Sequence, residues 1–318
     1  MTKNLETLMD DGTAHITRVI PVPATLSPKA QAFLATGATW APEAGSADQH
    51  KLIAQALAMY PVEIEDRTIA GVPVKVISPP FVSDDKQKRV LINLHGGGFV
   101  SDSGSMLESI PIASLTGIPV VTVYYRLAPE HVFPAAVDDV VAVYREILKT
   151  YLSQNIIFYG TSAGAGLSAQ TMIKLQHLGL PMPAALGFFT GMADFARAGD
   201  SNAFFGVPGL AGARTPVRGE IELAHVVGTC DPHDPVLSPM YADLRNFPPT
   251  LCITGTRDML LSGTVNFHRA LLRAGVDAEL VVFDAMPHAH WYMVGIPEAR
   301  EAVELMANYF VKQLKVSA

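Results

Sequence analysis

Residues 156–170 read IIFYGTSAGAGLSAQ, an apolar strand-like run that breaks into glycines and resumes as a helix-like run. Two chemistries fit that turn. GTSAG is a GxSxG pattern that would lift Ser162 onto a sharp strand-to-helix bend as a nucleophile, with Gly160, Ala163 and Gly164 leaving room for the tight backbone. The overlapping GAGLSA from Gly164 imitates a glycine-rich phosphate cradle. A dinucleotide site wants an acidic residue about 20 residues further on, at the end of the next strand. The run ALGFFTGMAD offers no carboxylate before Asp194, so the nucleophile reading is preferred and no cofactor is expected.

A serine nucleophile makes further demands, and the chain has residues to meet each. An ester's tetrahedral oxyanion needs donors fixed in place, each worth about 3 kcal/mol of transition-state stabilisation. LINLHGGGFVSDSGS from Leu91 puts three glycines directly after an apolar run, a loop whose N–H groups can turn toward one point. The serine also needs an imidazole base, and the base a carboxylate that fixes its tautomer. In this type of site the order along the chain is serine, acid, histidine. Acids near strand ends after Ser162 are Asp194, Asp258 and Asp284; the histidines are His177, His225, His233, His268, His288 and His290. Asp258 follows the run TLCIT within GTRD, and His288 follows AELVVF by a short loop. His177 and His268 fall inside helical patterns, and Asp284 belongs to the same strand exit as His288. His290 competes with His288 for the role of base.

Taken together, HGGGF, YYRLAPEHVFPAAVDD, GTSAG, GTRD and MPHAH resemble the hormone-sensitive-lipase branch of the α/β-hydrolases, the bacterial family IV esterases, in their GTSAG subgroup. The similarity runs from about Val72 to the C-terminus. It implies a carboxylesterase with Ser162 as nucleophile, Asp258 and His288 completing a triad, and the amides of Gly97, Gly98 and Ala163 forming an oxyanion hole. Lactone hydrolases and deacetylases of the same chemistry are alternatives, and a small-molecule receptor on the same fold is a more distant one. Within YYRLAPEHVFPAAVDD the resemblance gives Arg126, Glu130 and Asp138 the task of holding a strand exit in shape. One departure stands out, because the family commonly has an aromatic residue where this chain has His290. Phe99, Phe205, His290 and Trp291 are expected to line the substrate pocket, with Phe188, Phe189, Met192, Phe204 and Tyr292 as further candidates. Relatives often pair through the last strand, and the apolar AELVVF suits such an edge in a homodimer.

Positioning these residues calls for a particular scaffold. Strand-like runs recur as VPVKVIS, RVLINL, PVVTVYY, NIIFYG, ALGFFTG, TLCITG and AELVVF, each nearly continuous in apolar character, as in strands covered on both faces. Helical patterns such as AAVDDVVAVYREIL, AGLSAQTMIKLQHLG and SGTVNFHRALLRAG alternate with them. That rhythm predicts a mostly parallel, doubly wound central sheet, and the resemblance implies that it takes the α/β-hydrolase form with a helical cap. Residues 1 to about 65, with helical patterns ahead of the first strand, and residues 192–235, rich in glycine, alanine and proline, break the rhythm. Both are expected to form a helical cap over the strands' carboxyl ends, within one domain spanning 1–318.

The composition excludes several classes of partner. Lys and Arg total 23 against 30 Asp and Glu, and a net charge of −7 gives no electrostatic reason to bind nucleic acid or an anionic membrane. No apolar run reaches the ~18 residues of a membrane span, and MTKNLETLMDDG lacks the apolar core of an export signal. A soluble, cytoplasmic protein acting on a small-molecule ester is expected. The cluster HVVGTCDPHDP matches no zinc spacing and is broken by prolines, so no metal is expected.

Overall fold

Every apolar run read as a strand forms one, and these strands pair into a single eight-stranded sheet. The structure, a computed structural model, describes residues 6–10, 14–16, 19–36, 44–197, 199–205 and 224–315. A short hairpin of β1 (Glu6–Leu8) and β2 (Ala14–Ile16) precedes α1 (Pro28–Ala35) and α2 (Ala47–Met59). Then follow β3 (Glu63–Ile69), β4 (Val72–Ser78), β5 (Val90–Leu94), α3 (Ser105–Thr116) and β6 (Val120–Val123). The second half continues through α4 (Ala135–Ile147), β7 (Ile156–Thr161), α5 (Ala163–His177), β8 (Ala185–Phe189), α6 (Asp200–Phe205) and α7 (Ala224–Val227). It closes with β9 (Thr250–Arg257), α8 (Leu261–Arg273), β10 (Ala278–Pro287) and α9 (Pro297–Leu314).

Across the sheet the order is β10-β9-β8-β7-β5-β6-β4-β3, parallel from β10 to β6 and antiparallel at β4 and β3. The α/β-hydrolase sheet predicted from the sequence is present. From β5 the chain moves outward to β6, then crosses back to place β7 on the other side of β5. Such a reversal opens a crevice at the carboxyl ends of the two strands, where open sheets bind ligands. The loop after β5 is HGGG and the turn after β7 is GTSAG.

Two apolar layers hold the sheet. Side chains of α4, α5 and α8, such as Val140, Met172 and Phe267, pack on one face. Leu107 and Ile110 of α3 with Ala302 and Phe310 of α9 pack on the other. Every residue of β5, β7 and β8 is buried, which is why those runs carry no polar alternation.

Several expectations need correction. A further strand, β3, begins inside the stretch assigned to helices and cap; its sequence EIEDRTI is mostly exposed at the sheet's edge, so it has no apolar run to betray it. The strands β4 and β10 are not covered on both faces: β4 alternates buried and exposed positions, and β10 is an edge strand with Val282 exposed. Helix α3 escaped the sequence reading because it carries Pro111 and is buried nearly all round, leaving no amphipathic stripe. Arg126 binds Asp139 rather than Asp138: its backbone N–H donates to Asp139 Oδ2 at 2.9 Å and its Nε to Oδ1 at 3.0 Å. Asp138 faces Lys174 instead, and Glu130 is exposed. Of the stretches read as a cap, α1 and α2 pack against α9 and α3, whereas residues 206–223 lie outside those described.

Candidate active site

Glycine at two positions lets β7 turn tightly beside β5. A Cβ on Gly160 would lie 2.4 Å from the Leu94 carbonyl oxygen, and one on Gly164 would lie 1.8 Å from the same atom. Between them Ser162 adopts φ 59° and ψ −119°, a conformation that costs a non-glycine residue about 1–3 kcal/mol. The sheet holds it there. Ser162 N–H donates to the Phe189 carbonyl on β8 at 2.9 Å, and Gly166 N–H donates to the Ser162 carbonyl at 3.2 Å as α5 begins. Ser162 is half-buried, and Ala163 follows it as the first residue of α5, so the Ala163 N–H is one of the helix's unpaired amino-terminal donors.

The glycine loop lies against this turn. A Cβ on Gly96 would come within 3.4 Å of Ser162 Cβ and 3.0 Å of the Thr161 carbonyl. Gly97 and Gly98 have φ of 122° and 63°, and their N–H groups have no protein acceptor among the described residues. His95, which the sequence reading did not single out, anchors the loop. Its ring stacks on Tyr125 at 4.2 Å, its Nδ1 donates to the Gly96 carbonyl at 2.9 Å, and the Tyr125 hydroxyl donates to the His95 carbonyl at 2.6 Å.

Asp258 and His288 meet in the buried interior. His288 Nδ1 donates to Asp258 Oδ1 at 2.8 Å, and both side chains are at most 1 % exposed. Two more donors complete the carboxylate's shell: Thr254 Oγ1 donates to Oδ2 at 2.7 Å and Leu260 N–H to Oδ1 at 2.8 Å. Thr190 Oγ1 also lies 3.1 Å from His288 Nδ1. Thr190 is the neighbour of Phe189, whose carbonyl holds Ser162, so the serine's turn and the histidine share one strand end. Neither Thr190 nor Thr254 was legible in the sequence, where each is one threonine within an apolar strand run. With Nδ1 donating, Nε2 of His288 carries the lone pair that a general base requires.

The other acids and histidines point elsewhere. Asp284 is exposed and accepts from Thr25 Oγ1 at 2.6 Å, Asp194 accepts from the Ala196 N–H at 2.9 Å, and His177 is exposed at the end of α5. The expected pocket residues divide. Phe99 is buried against Tyr125 and Phe195 and helps line a small cavity with Arg126 and Gln170. Trp291 belongs to the core: it is buried, packs edge-on against Phe189, and its Nε1 donates to Thr161 Oγ1 at 3.2 Å. Phe188, Phe189 and Tyr292 are core residues too, Phe204 is exposed, and Met192 is half-buried beside the loop after β9. Phe205 ends α6, and its side chain lies outside the described residues. His290 is buried between Phe283 and Trp291, near the Pro287 carbonyl, and among the described residues neither ring nitrogen has a hydrogen-bond partner. Burial drives its proton affinity down to about 3.

A buried imidazole bonded to a carboxylate, at the strand end that also holds a strained serine, together with glycine amides that have no acceptor among the described residues, is an arrangement suited to nucleophilic attack on a carbonyl. Comparisons with known proteins agree with that chemistry. Residues 91–292 match a family model described as an alpha/beta hydrolase fold. An acetyl-hydrolase of Streptomyces hygroscopicus is 33% identical over 225 residues, covering 70% of this chain and 75% of the relative. The crystal structure of an esterase, E25, is 30% identical, with a TM-score of 0.80 over 93% of this chain and 97% of that one. A second crystal structure, of an esterase from the bacterial hormone-sensitive lipase family, is 30% identical, with a TM-score of 0.74 over 86% of this chain and all of that one, 100%.

Two predictions follow from the local geometry. Gly164→Ala should destabilise the fold by about 3 kcal/mol or more, because its methyl must displace the β5 backbone rather than a flexible side chain. Urea unfolding reads this, and a midpoint equal to the parent's would contradict it. His290→Phe should be stabilising at low pH. The folded imidazole binds its proton only near pH 3 while the unfolded one binds it near 6.5, so the parent loses stability as pH falls through that window, by about 1.4 kcal/mol per unit. The gap in unfolding free energy between variant and parent should therefore widen from pH 7 to pH 5; a constant gap would show that His290 does not stay neutral.

Proposed function

The chain belongs to the α/β-hydrolase family, in its hormone-sensitive-lipase branch, and from that premise we propose a carboxylesterase that works through a Ser162–His288–Asp258 triad. The observation that carries this reading is the buried His288–Asp258 hydrogen bond, 2.8 Å long, at the strand end shared with the serine's turn. As Ser162 Oγ attacks the ester carbonyl, His288 Nε2 takes its proton, and Asp258 stabilises the imidazolium that forms. The amides of Gly97, Gly98 and Ala163 receive the oxyanion. The imidazolium then protonates the departing alcohol, and water repeats the steps to split the acyl-enzyme.

The acetyl-hydrolase relative supports a short acyl group as substrate. A cap formed by α1, α2 and residues 192–235 would cover the crevice between β5 and β7. Thr25 holds Asp284, and Ser27 N–H donates to Glu298 Oε1 at 2.6 Å, so the segment before α1 is fixed to the strand and helix that flank the histidine loop. The free thiols of Cys230 and Cys252 suit a cytoplasmic setting. Among the described residues no helix is long and apolar enough to cross a membrane. A homodimer would form along β10, whose outer edge has no strand partner among the described residues and exposes Val282.

Ser162→Ala should lower kcat for p-nitrophenyl acetate by roughly four orders of magnitude without unfolding the protein, and a fluorophosphonate should label the parent at Ser162. Turnover by the variant at the parent's rate would remove the serine from the mechanism. For assembly, light scattering should return twice the 34.1 kDa chain mass; a mass of one chain across the working concentration range would reject pairing through β10.

A further inference from the structure

Glu108 sits on α3 with 3 % of its surface exposed, and its carboxyl reaches toward three segments of the site at once. Its Oε2 accepts from Asn93 Nδ2 at 2.8 Å, and Asn93 Oδ1 accepts from Thr122 Oγ1 at 2.7 Å; Asn93 lies on β5 just ahead of the glycine loop. Its Oε1 shares a hydrogen bond with the hydroxyl of Tyr292, on the turn that follows His288. Thr161, immediately before Ser162, lies beside the Glu108 carboxyl and the Tyr292 hydroxyl, and its Oγ1 accepts from Trp291 Nε1 at 3.2 Å, which links the nucleophile turn to the segment that carries Tyr292. The mechanism above uses none of these groups.

We propose that Glu108 is a positioning residue for ester hydrolysis, a buried carboxyl that ties the strand of the glycine loop, the nucleophile turn and the histidine loop into one register. The inference rests on the triad proposed above. Burial is the dominant influence on Glu108 and raises its proton affinity to about 8, outweighing the hydrogen bonds from Tyr292 and Asn93 that favour the charged form. The groups facing it supply no compensating charge. The Asp102 carboxylate opposes its ionisation, the Tyr292, Tyr125 and Tyr159 phenols are held far from ionising by burial, and His95 is kept neutral by burial. Because the folded value lies above the ordinary 4.5, the stabilisation from this acid is complete below pH 4.5 and is lost as pH rises through about 8. An ionised Glu108 would be a buried charge without a cation, which the surrounding loops can relieve only by moving apart to admit water.

The test compares the parent with Glu108→Gln and Glu108→Leu, measuring kcat and KM for p-nitrophenyl acetate between about pH 6 and 10 at the wavelength where product and its anion absorb equally. The parent's kcat should fall above about pH 8 with KM little changed. Glu108→Gln keeps the hydrogen-bonding shape and cannot ionise, so it should hold a kcat within roughly threefold of the parent at pH 7 and lack the alkaline decline. Glu108→Leu should lose about tenfold or more in kcat at every pH, through misplacement of the loops. An alkaline limb shared by the parent and Glu108→Gln overturns the inference, as does a Glu108→Leu variant with the parent's kcat. If Glu108→Leu fails to fold, the limb of Glu108→Gln decides alone. Fluorophosphonate labelling at Ser162 in all three proteins separates the outcomes: labelling with an unmoved limb sinks Glu108 only, whereas a parent that does not label sinks the triad as well.

Discussion

One carbonyl group sets the dimensions of this site. The Leu94 oxygen at the end of β5 occupies the space where side chains on residues 160 and 164 would begin, so the strand, the turn and the first residues of α5 touch backbone to backbone. That contact has two consequences. It forces the chain around Ser162 into a left-handed conformation that hydrogen bonds from β8 and α5 must sustain. It also brings the amino-terminal donors of α5 alongside the glycine loop, because Gly96 packs on Thr161 and Ser162 with no side chain between. A donor array built of packed main chain cannot drift by the ångström that would cost an enzyme its transition-state binding.

On the other side of the crevice the arrangement depends on irregularity in the last two strands. The register of β10 on β9 slips between Phe283 and Pro287, and Ala285 and Ala289 take left-handed conformations around that slip. Bulges re-aim side chains where a regular strand would bury or expose them in alternation. Here the slip turns His288 inward to Asp258, whose carboxylate is fixed by Thr254 on its own strand and Leu260 on the following helix start. Thr190, itself at φ 47°, joins the histidine to the strand that carries Phe189, and through it to the serine's turn.

How much of this was readable in the sequence depends on whether a feature is local. The buried parallel strands announced themselves because both faces are covered, and GTSAG and HGGG did so because close backbone contact demands glycine. Edge strand β3 and helix α3 stayed hidden for opposite reasons, the first having no apolar face and the second no polar one. Asp139 in place of Asp138 was a matter of which side of α4 faces the Arg126 backbone, which neighbouring identical residues cannot reveal. Trp291 looked like a pocket residue from its position near His288, yet the turn after β10 folds it back into the core against Phe189. Thr190, Thr254 and Glu108 act through contacts with residues distant in the chain, and no spacing rule points to them.

Two histidines lie two positions apart at the end of β10, and residue type cannot choose between them. Partners can. His288 has a carboxylate on Nδ1 that fixes its tautomer, whereas His290 has aromatic rings around it and, among the described residues, no hydrogen-bond partner for either nitrogen. Desolvation, only partly offset by the Asp258 and Glu298 carboxylates, leaves His290 neutral down to about pH 3, chemically an aromatic spacer. The same physics applied to an acid leaves Glu108 protonated beneath the loops. Burial thus holds both His290 and Glu108 neutral, and the one imidazole that the fold has supplied with a carboxylate is His288, the base of the proposed mechanism.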